Sequence, residues 1–256
     1  MDKLIEELRA SVAEDPNRTI INEAVWKLPV VLYDVSFDRV KRLKMDILMK
    51  MLLLTFQEAD IRRAATLSDM LFVEELFISD LIDKMQRTGL IGLEKSGYKL
   101  TPKGHDYLGK GIFEEEMEGS KTVIAYSAVH DDYRLAASEA HPEAGDTMPL
   151  YRYPVKGSLN KDRMYQLLLK EGADLGEESF QTVITGITAC IENDTIHIPC
   201  IEFQLYDQKQ DLFYARIWNT WTSSWDETLE KHIEARELVK WRKAMEEQEA
   251  ALEIGV

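Results

Sequence analysis

The 256 residues are 45% hydrophobic, 30% charged and 9% aromatic, and 46 acidic against 31 basic side chains give a formal net charge of −15. This apolar content excludes a mainly disordered chain, 13 Gly and 7 Pro exclude a collagen-like one, and two Cys cannot make a disulfide framework or a cysteine-based zinc cluster. The acidity argues against a general coat for nucleic acid.

In chain order, Leu4, Ile5, Leu8 and Val12 recur at helical spacing and stop at Asp15-Pro16-Asn17. This acidic, amphipathic start is unlike a signal or transit peptide, and a cytoplasmic protein is expected. Residues 20–35, with Trp26, Leu28, Val30, Val31 and Val35, read as a strand. From Phe37 the period changes: Phe37, Val40, Leu43, Ile47, Leu48, Met51, Leu52 and Leu54 predict a helix of about 20 residues. Its run Met51-Leu52-Leu53-Leu54, as long as any apolar run in the sequence, is far short of the ~20 residues of a membrane span. Helices over 61–71 and 75–88 follow, the latter with Phe77, Leu81 and Met85 inward and Gly89 at its end. Residues 90–93 and 98–101 form a hairpin, and Thr101-Pro102 opens a short helix. Gly109-Lys110-Gly111 and the acidic run 114–118 are expected to lead out of this region.

Residues 122–129 and 148–153 then read as strands separated by an exposed loop around 141–146, and 158–172 as a helix. Strands are predicted over 180–191, 195–206 and 212–221, and a last helix from Ser224 to about Ala250. Ser224 with Glu227 forms a capping box for that helix. Setting Phe203 opposite Ala215 matches Leu205 with Phe213 and Ile201 with Ile217, and makes Glu202 and Arg216 a cross-strand ion pair.

Three segments follow one another in a telling order. Arg63-Ala64-Ala65-Thr66-Leu67-Ser68-Asp69-Met70-Leu71 is a second helix, Phe72 to Glu74 a turn, and Ile78-Ser79-Asp80-Leu81-Ile82-Asp83-Lys84-Met85 a third helix. Thr88-Gly89-Leu90-Ile91 and Tyr98-Lys99-Leu100-Thr101-Pro102-Lys103-Gly104 complete a hairpin, and residues 37–108 together resemble a winged-helix domain. The glycine-led strand followed by Leu-Thr-x-x-Gly is the most specific part. The resemblance implies DNA binding through the third helix and wing, or protein docking, which many such domains perform.

Arg39, Lys41, Arg42 and Lys44, with Ser79 on the third helix and Lys95, Lys99 and Lys103 on or near the wing, are the candidate DNA contacts. Residues 39–110 carry +3 and the remainder −18. The same basic residues also suit an ordinary helix surface balanced by nearby acids. On the third helix Glu75, Asp80 and Asp83 face outward, where carboxylates would oppose phosphates. They are candidate partner contacts, as are Tyr214, Trp218 and Trp221 in an aromatic neighbourhood suited to a core corner or an interface.

Signs of catalysis are few. No Walker loop, dinucleotide glycine pattern, nucleophile elbow or HExxH occurs. Cys190 facing His197 across a turn at Asn193-Asp194 would be a lone nucleophile pair. His105-Asp106 and His130-Asp131-Asp132 lack facing partners for a metal. Asp194 with Glu202-Phe203-Gln204 faintly resembles the acidic pair of a restriction-type nuclease without its lysine.

The expectation is an α+β protein: a helix and strand over 1–36, a winged helix over 37–110, and an antiparallel sheet with flanking helices over 120–256. Its expected function is non-catalytic and cytoplasmic, a regulatory or adaptor protein docking a protein partner within a protein or protein–DNA complex. No cofactor, metal or membrane is expected, and homo-oligomerisation is compatible with the sequence. The alternatives are a DNA-binding transcription regulator and a metal-dependent nuclease-like enzyme.

Overall fold

Burial at Trp26, Leu28 and Val30 alternates with half-exposed neighbours, the mark of a strand with one face in a core. That strand outruns its apolar stretch: β1 spans Arg18–Lys44. The computed structural model describes residues 1–136, 145, 147–172 and 181–254. Before β1 comes α1 (Asp2–Val12), and after it α2 (Ile47–Glu58), α3 (Ala64–Leu71), α4 (Glu75–Arg87), β2 (Ile91–Leu93) and β3 (Tyr98–Leu100). Then follow α5 (Pro102–Lys110), β4 (Ile112–Glu116), β5 (Ser120–Ser127), β6 (Asp132–Leu135) and α6 (Lys161–Gly172). Last come β7 (Gln181–Asp207), β8 (Leu212–Asn219), β9 (Ser224–Trp225) and α7 (Glu227–Ile254). The class is α+β, with a sheet ordered β6-β5-β1-β7-β8-β9, β4 on β1, and a separate β2–β3 hairpin. No helix among the described residues is long and apolar enough to cross a membrane. The chain divides into two compact units, one of residues 1–36, 121–167 and 189–256, the other of 37–120 and 168–188.

In the first unit, α1 lays Leu8 and Val12 on Ile201, Phe203 and Leu205 of one sheet face. The opposite face carries Trp26, Leu28, Val30, Ile198, Ala215 and Ile217, packed with Leu229 and Ile233 of α7. Beyond its contact with β9, the edge of β8 is met by that helix. Glu234 accepts from the Ala215 amide at 2.9 Å and Glu230 from the Ile217 amide at 3.1 Å. Carboxylates thus satisfy edge amides that would otherwise invite another strand.

The β7–β8 register is one residue away from the apolar matching expected. Glu202 stands opposite Ile217, Phe203 opposite Arg216 and Tyr206 opposite Phe213. The turn between the strands sets it: the Lys209 and Gln210 amides donate to Asp207 Oδ1 at 2.9 and 3.0 Å, and Asp211 adopts φ 50°. Glu202 therefore does not pair with Arg216, which instead lies 3.5 Å from Glu230. With 0% exposure, Glu202 sits in the core and takes Arg152 Nη1 and Nη2 at 2.8 Å each, and Trp26 Nε1 at 2.7 Å. The same guanidinium bonds Glu237 of α7, Nη2 to Oε2 at 3.0 Å. Burial pulls the Glu237 carboxyl upward, but Arg152, Tyr153 and Trp241 together hold it below the usual carboxylate range.

The strands expected over 180–191 and 195–206 are one element, β7. Asn193 and Asp194 are exposed mid-strand residues rather than a turn, and Asn193 Nδ2 donates to Asp34 of β1 at 3.1 Å. Residue 180 and, except for Gly145, the loop expected at 141–146 lie outside the described residues. Ser224 belongs to β9, opposite Asn219. The cap of α7 is instead Asp226, whose Oδ1 accepts from the Leu229 amide at 3.1 Å.

In the second unit, the helix expected from Phe37 starts at Ile47, capped by Asp46 accepting from the Leu48 amide at 2.8 Å. Phe37, Val40 and Leu43 have helical spacing, yet residues 37–44 continue β1, because 114–116 of the acidic run expected to lead outward belong to β4, which pairs with residues 40–44. Lys41 faces Glu115 and Arg42 faces Glu114. Leu52, Leu53 and Phe56 of α2 form a core with Leu67 of α3 and with Ile78, Ile82 and Met85 of α4. α4 thus turns Ile78 and Ile82 inward and leaves Phe77 exposed. The Leu-Thr-x-x-Gly segment has a physical rationale: Thr101 Oγ1 donates to the Gly89 carbonyl at 2.6 Å and accepts from the Gly104 amide at 3.1 Å. A Cβ on Gly104 would meet the Leu90 carbonyl at 2.1 Å.

Removing the cation from between Glu202 and Glu237 leaves a fully buried carboxylate unpaired. Arg152→Leu is expected to lower the unfolding free energy by about 3 kcal/mol or more, read from urea denaturation. A loss below about 1 kcal/mol would contradict this role.

Candidate functional site

α3 ends at Leu71, and the chain must reverse into α4 through Phe72, Val73 and Glu74. A helix end of this kind calls for a left-handed residue, usually glycine. Here Phe72 holds φ 55°, ψ 38°, while the Ser68 hydroxyl donates to the Val73 carbonyl at 2.6 Å across the turn. A side chain in that conformation costs about 1–2 kcal/mol, and burial returns nothing, because Phe72 is 96% exposed. On α4, Leu76 is 68% and Phe77 52% exposed, and Met70 of α3 is also exposed. Exposed Asp69, Glu74, Glu75 and Asp80 interleave with them in sequence. Phe77, Asp80, Leu81, Asp83, Lys84 and Arg87 line a shallow groove along α4, whose Ser79 is half-buried.

Several of the expected DNA contacts, Arg42, Lys99 and Lys103 among them, are engaged within this unit. Arg42 binds Glu114 through Nε at 2.8 Å and Nη2 at 2.6 Å, and Glu114 also accepts from the Tyr107 hydroxyl. Burial and that bond push the Tyr107 phenol up to about 12. Lys99 pairs with Asp60, and Lys103 lies 5.4 Å from the Tyr107 ring centroid. Lys95 sits at the hairpin tip, where its carbonyl accepts from Arg62. Lys44 is exposed, Lys41 half-buried, and Arg39 Nε is buried without a hydrogen-bond acceptor among the described residues.

No family model, no curated protein and no solved structure matches the chain.

A second constellation lies in the first unit. β5 turns into β6 through residues 128–131, with Asp131 at φ 46°. Ser127 Oγ lies 2.6 Å from His130 Nδ1, and His130 Nε2 lies 2.9 and 3.1 Å from the two carboxylate oxygens of Asp226. Asn219 Nδ2 donates to Asp226 at 2.9 Å. Burial raises the Asp226 carboxyl, but the bonds from His130 and Asn219 outweigh it and hold the group below the usual range. A cleft of about 320 Å³ opens over Ser127 and His130, walled by Leu28, Trp221 and Trp225 and edged by Arg134 and Thr222.

Tyr214 and Trp218 join the core beneath α1, where Trp218 meets Trp225 edge to face at 5.3 Å. Trp221 packs with the opposite face and lines the cleft. Cys190 and His197 are seven residues apart on one continuous strand, roughly 23 Å in extended chain, and form no pair. Asp194 and Glu202 are parted in the same way. Asp106 pairs with Lys110 at 2.7 Å. Among the described residues no group of three His, Cys, Asp or Glu side chains could hold a metal.

Asp226 both caps α7 and holds His130, so Asp226→Ala is expected to cost about 1–2 kcal/mol at pH 7. Because the folded carboxyl is held low, this contribution is complete above the unfolded value of about 3.9 and is lost as pH falls through the folded one. The gap between wild type and Asp226→Ala, measured by urea melts, should narrow below about pH 4.

Proposed function

We propose that this is a regulatory or adaptor protein, with a winged helix over residues 37–110 that docks a protein partner through Phe72, Leu76 and Phe77. The observation that carries this reading is Phe72, held in a costly backbone conformation with its ring in solvent. A bulky side chain in a conformation that glycine would adopt without strain points to function. Large exposed aromatic and aliphatic side chains supply the centre of an interface, and the acidic residues 69, 74, 75 and 80 supply its rim. The complementary partner segment is apolar with basic flanks.

Direct DNA regulation is less well supported. The outward face of α4 combines carboxylates with exposed Leu76 and Phe77, and Arg42 and Lys99 are bound to acids of the same unit. The two cysteines are free thiols, which suits a cytoplasmic setting.

A photoreactive amino acid placed at Leu76 in the source cell tests this directly. A discrete protein adduct that disappears with Phe72→Ser is expected, together with no retardation of duplex DNA at low salt. An adduct to DNA, or a protein adduct unaffected by Phe72→Ser, would refute it.

A further inference from the structure

The Ser127, His130 and Asp226 side chains make a relay that the docking reading does not use. The carboxylate is fixed from three sides, by the Leu229 amide, Asn219 Nδ2 and His130 Nε2. That bond to Nε2 selects the tautomer protonated there, which leaves Nδ1 as a base 2.6 Å from the Ser127 hydroxyl. The ring is used in the reverse of the order found in serine proteases, but both nitrogens can serve as the base, and a triad is recognised by geometry and roles. Glu227 and Thr228 belong to the first turn of α7, whose amides have no acceptor within the helix, and both line the same cleft. The start of this helix therefore carries partial positive charge at the wall of the cleft.

From this geometry we infer that the cleft hydrolyses small acyl esters, with Ser127 as nucleophile, His130 as general base and Asp226 as a positioning residue. Ser127 Oγ adds to the ester carbonyl carbon while its proton passes to His130 Nδ1. The tetrahedral oxyanion collapses, the bond to the leaving alkoxide breaks, and His130 returns the proton to that alkoxide. Water then attacks the acyl-serine, gives its proton to Nδ1, and the carboxylic acid leaves as Ser127 Oγ recovers that proton. At about 320 Å³, with Leu28, Trp221 and Trp225 as walls, the cleft suits a short acyl group.

The test uses a fluorophosphonate probe and p-nitrophenyl acetate on the full chain. The wild type is expected to carry the probe on Ser127, located by peptide mapping. Ser127→Ala should abolish labelling, His130→Gln should slow ester turnover by about 10²–10⁴-fold, and Asp226→Asn, which keeps the helix cap, should lower kcat more than it raises KM. Circular dichroism melts confirm that each variant is folded. Phe72→Ser, in the other unit, should label at the wild-type rate, so failure of the docking reading leaves this one standing. No adduct on Ser127 of the wild type, or an adduct formed as fast in folded His130→Gln, would overturn the assignment.

Discussion

One guanidinium holds the first unit together. Arg152 lies between Glu202 on β7 and Glu237 on α7, so helix and sheet are joined through a cation that neither element carries. Two carboxylates share it, which makes the cluster a source of specificity more than of net stability, because buried ion pairs repay their desolvation only when every partner is in place. Trp26, Gln204, Tyr153 and Trp241 supply the remaining hydrogen bonds to those carboxylates. The docking it fixes has further consequences. It brings Glu230 and Glu234 to the free amides of β8 and sets Asp226, the first-turn cap, against His130.

The second unit follows a different logic. Its core is apolar, and Lys41 and Arg42 of β1 stand opposite Glu115 and Glu114 of β4. What remains exposed is the turn between α3 and α4, where the backbone is strained and the side chains are hydrophobic. In the first unit, unfavourable charges are compensated. At Phe72 neither cost is offset within the chain, and that asymmetry points outward to a partner.

The α+β class was legible in the sequence, because alternation and helical spacing differ wherever one face is buried. Three misreadings have a common origin in long strands. Phe37, Val40 and Leu43 fit a helix by spacing, yet they extend a strand of 27 residues that no local pattern delimits. Asn193-Asp194 has turn composition but lies within another strand of 27 residues. The partner of Glu202 depended on the turn around Asp211, and Glu202 is buried because both faces of the sheet are covered. The Ser127, His130 and Asp226 grouping joins residues 96 positions apart, a proximity that no spacing encodes. Phe72 did leave a signal: a bulky aromatic residue in the turn between two helices, where glycine is the usual choice.

If Phe72 serves a partner and not the fold, replacing it by glycine separates the two roles. Phe72→Gly relieves the left-handed strain and removes no buried surface. Stability is therefore expected to be unchanged or increased, by up to about 1 kcal/mol in urea denaturation, together with loss of the protein adduct formed at position 76. Destabilisation by about 3 kcal/mol or more, as for a packed aromatic, with the adduct retained would contradict it.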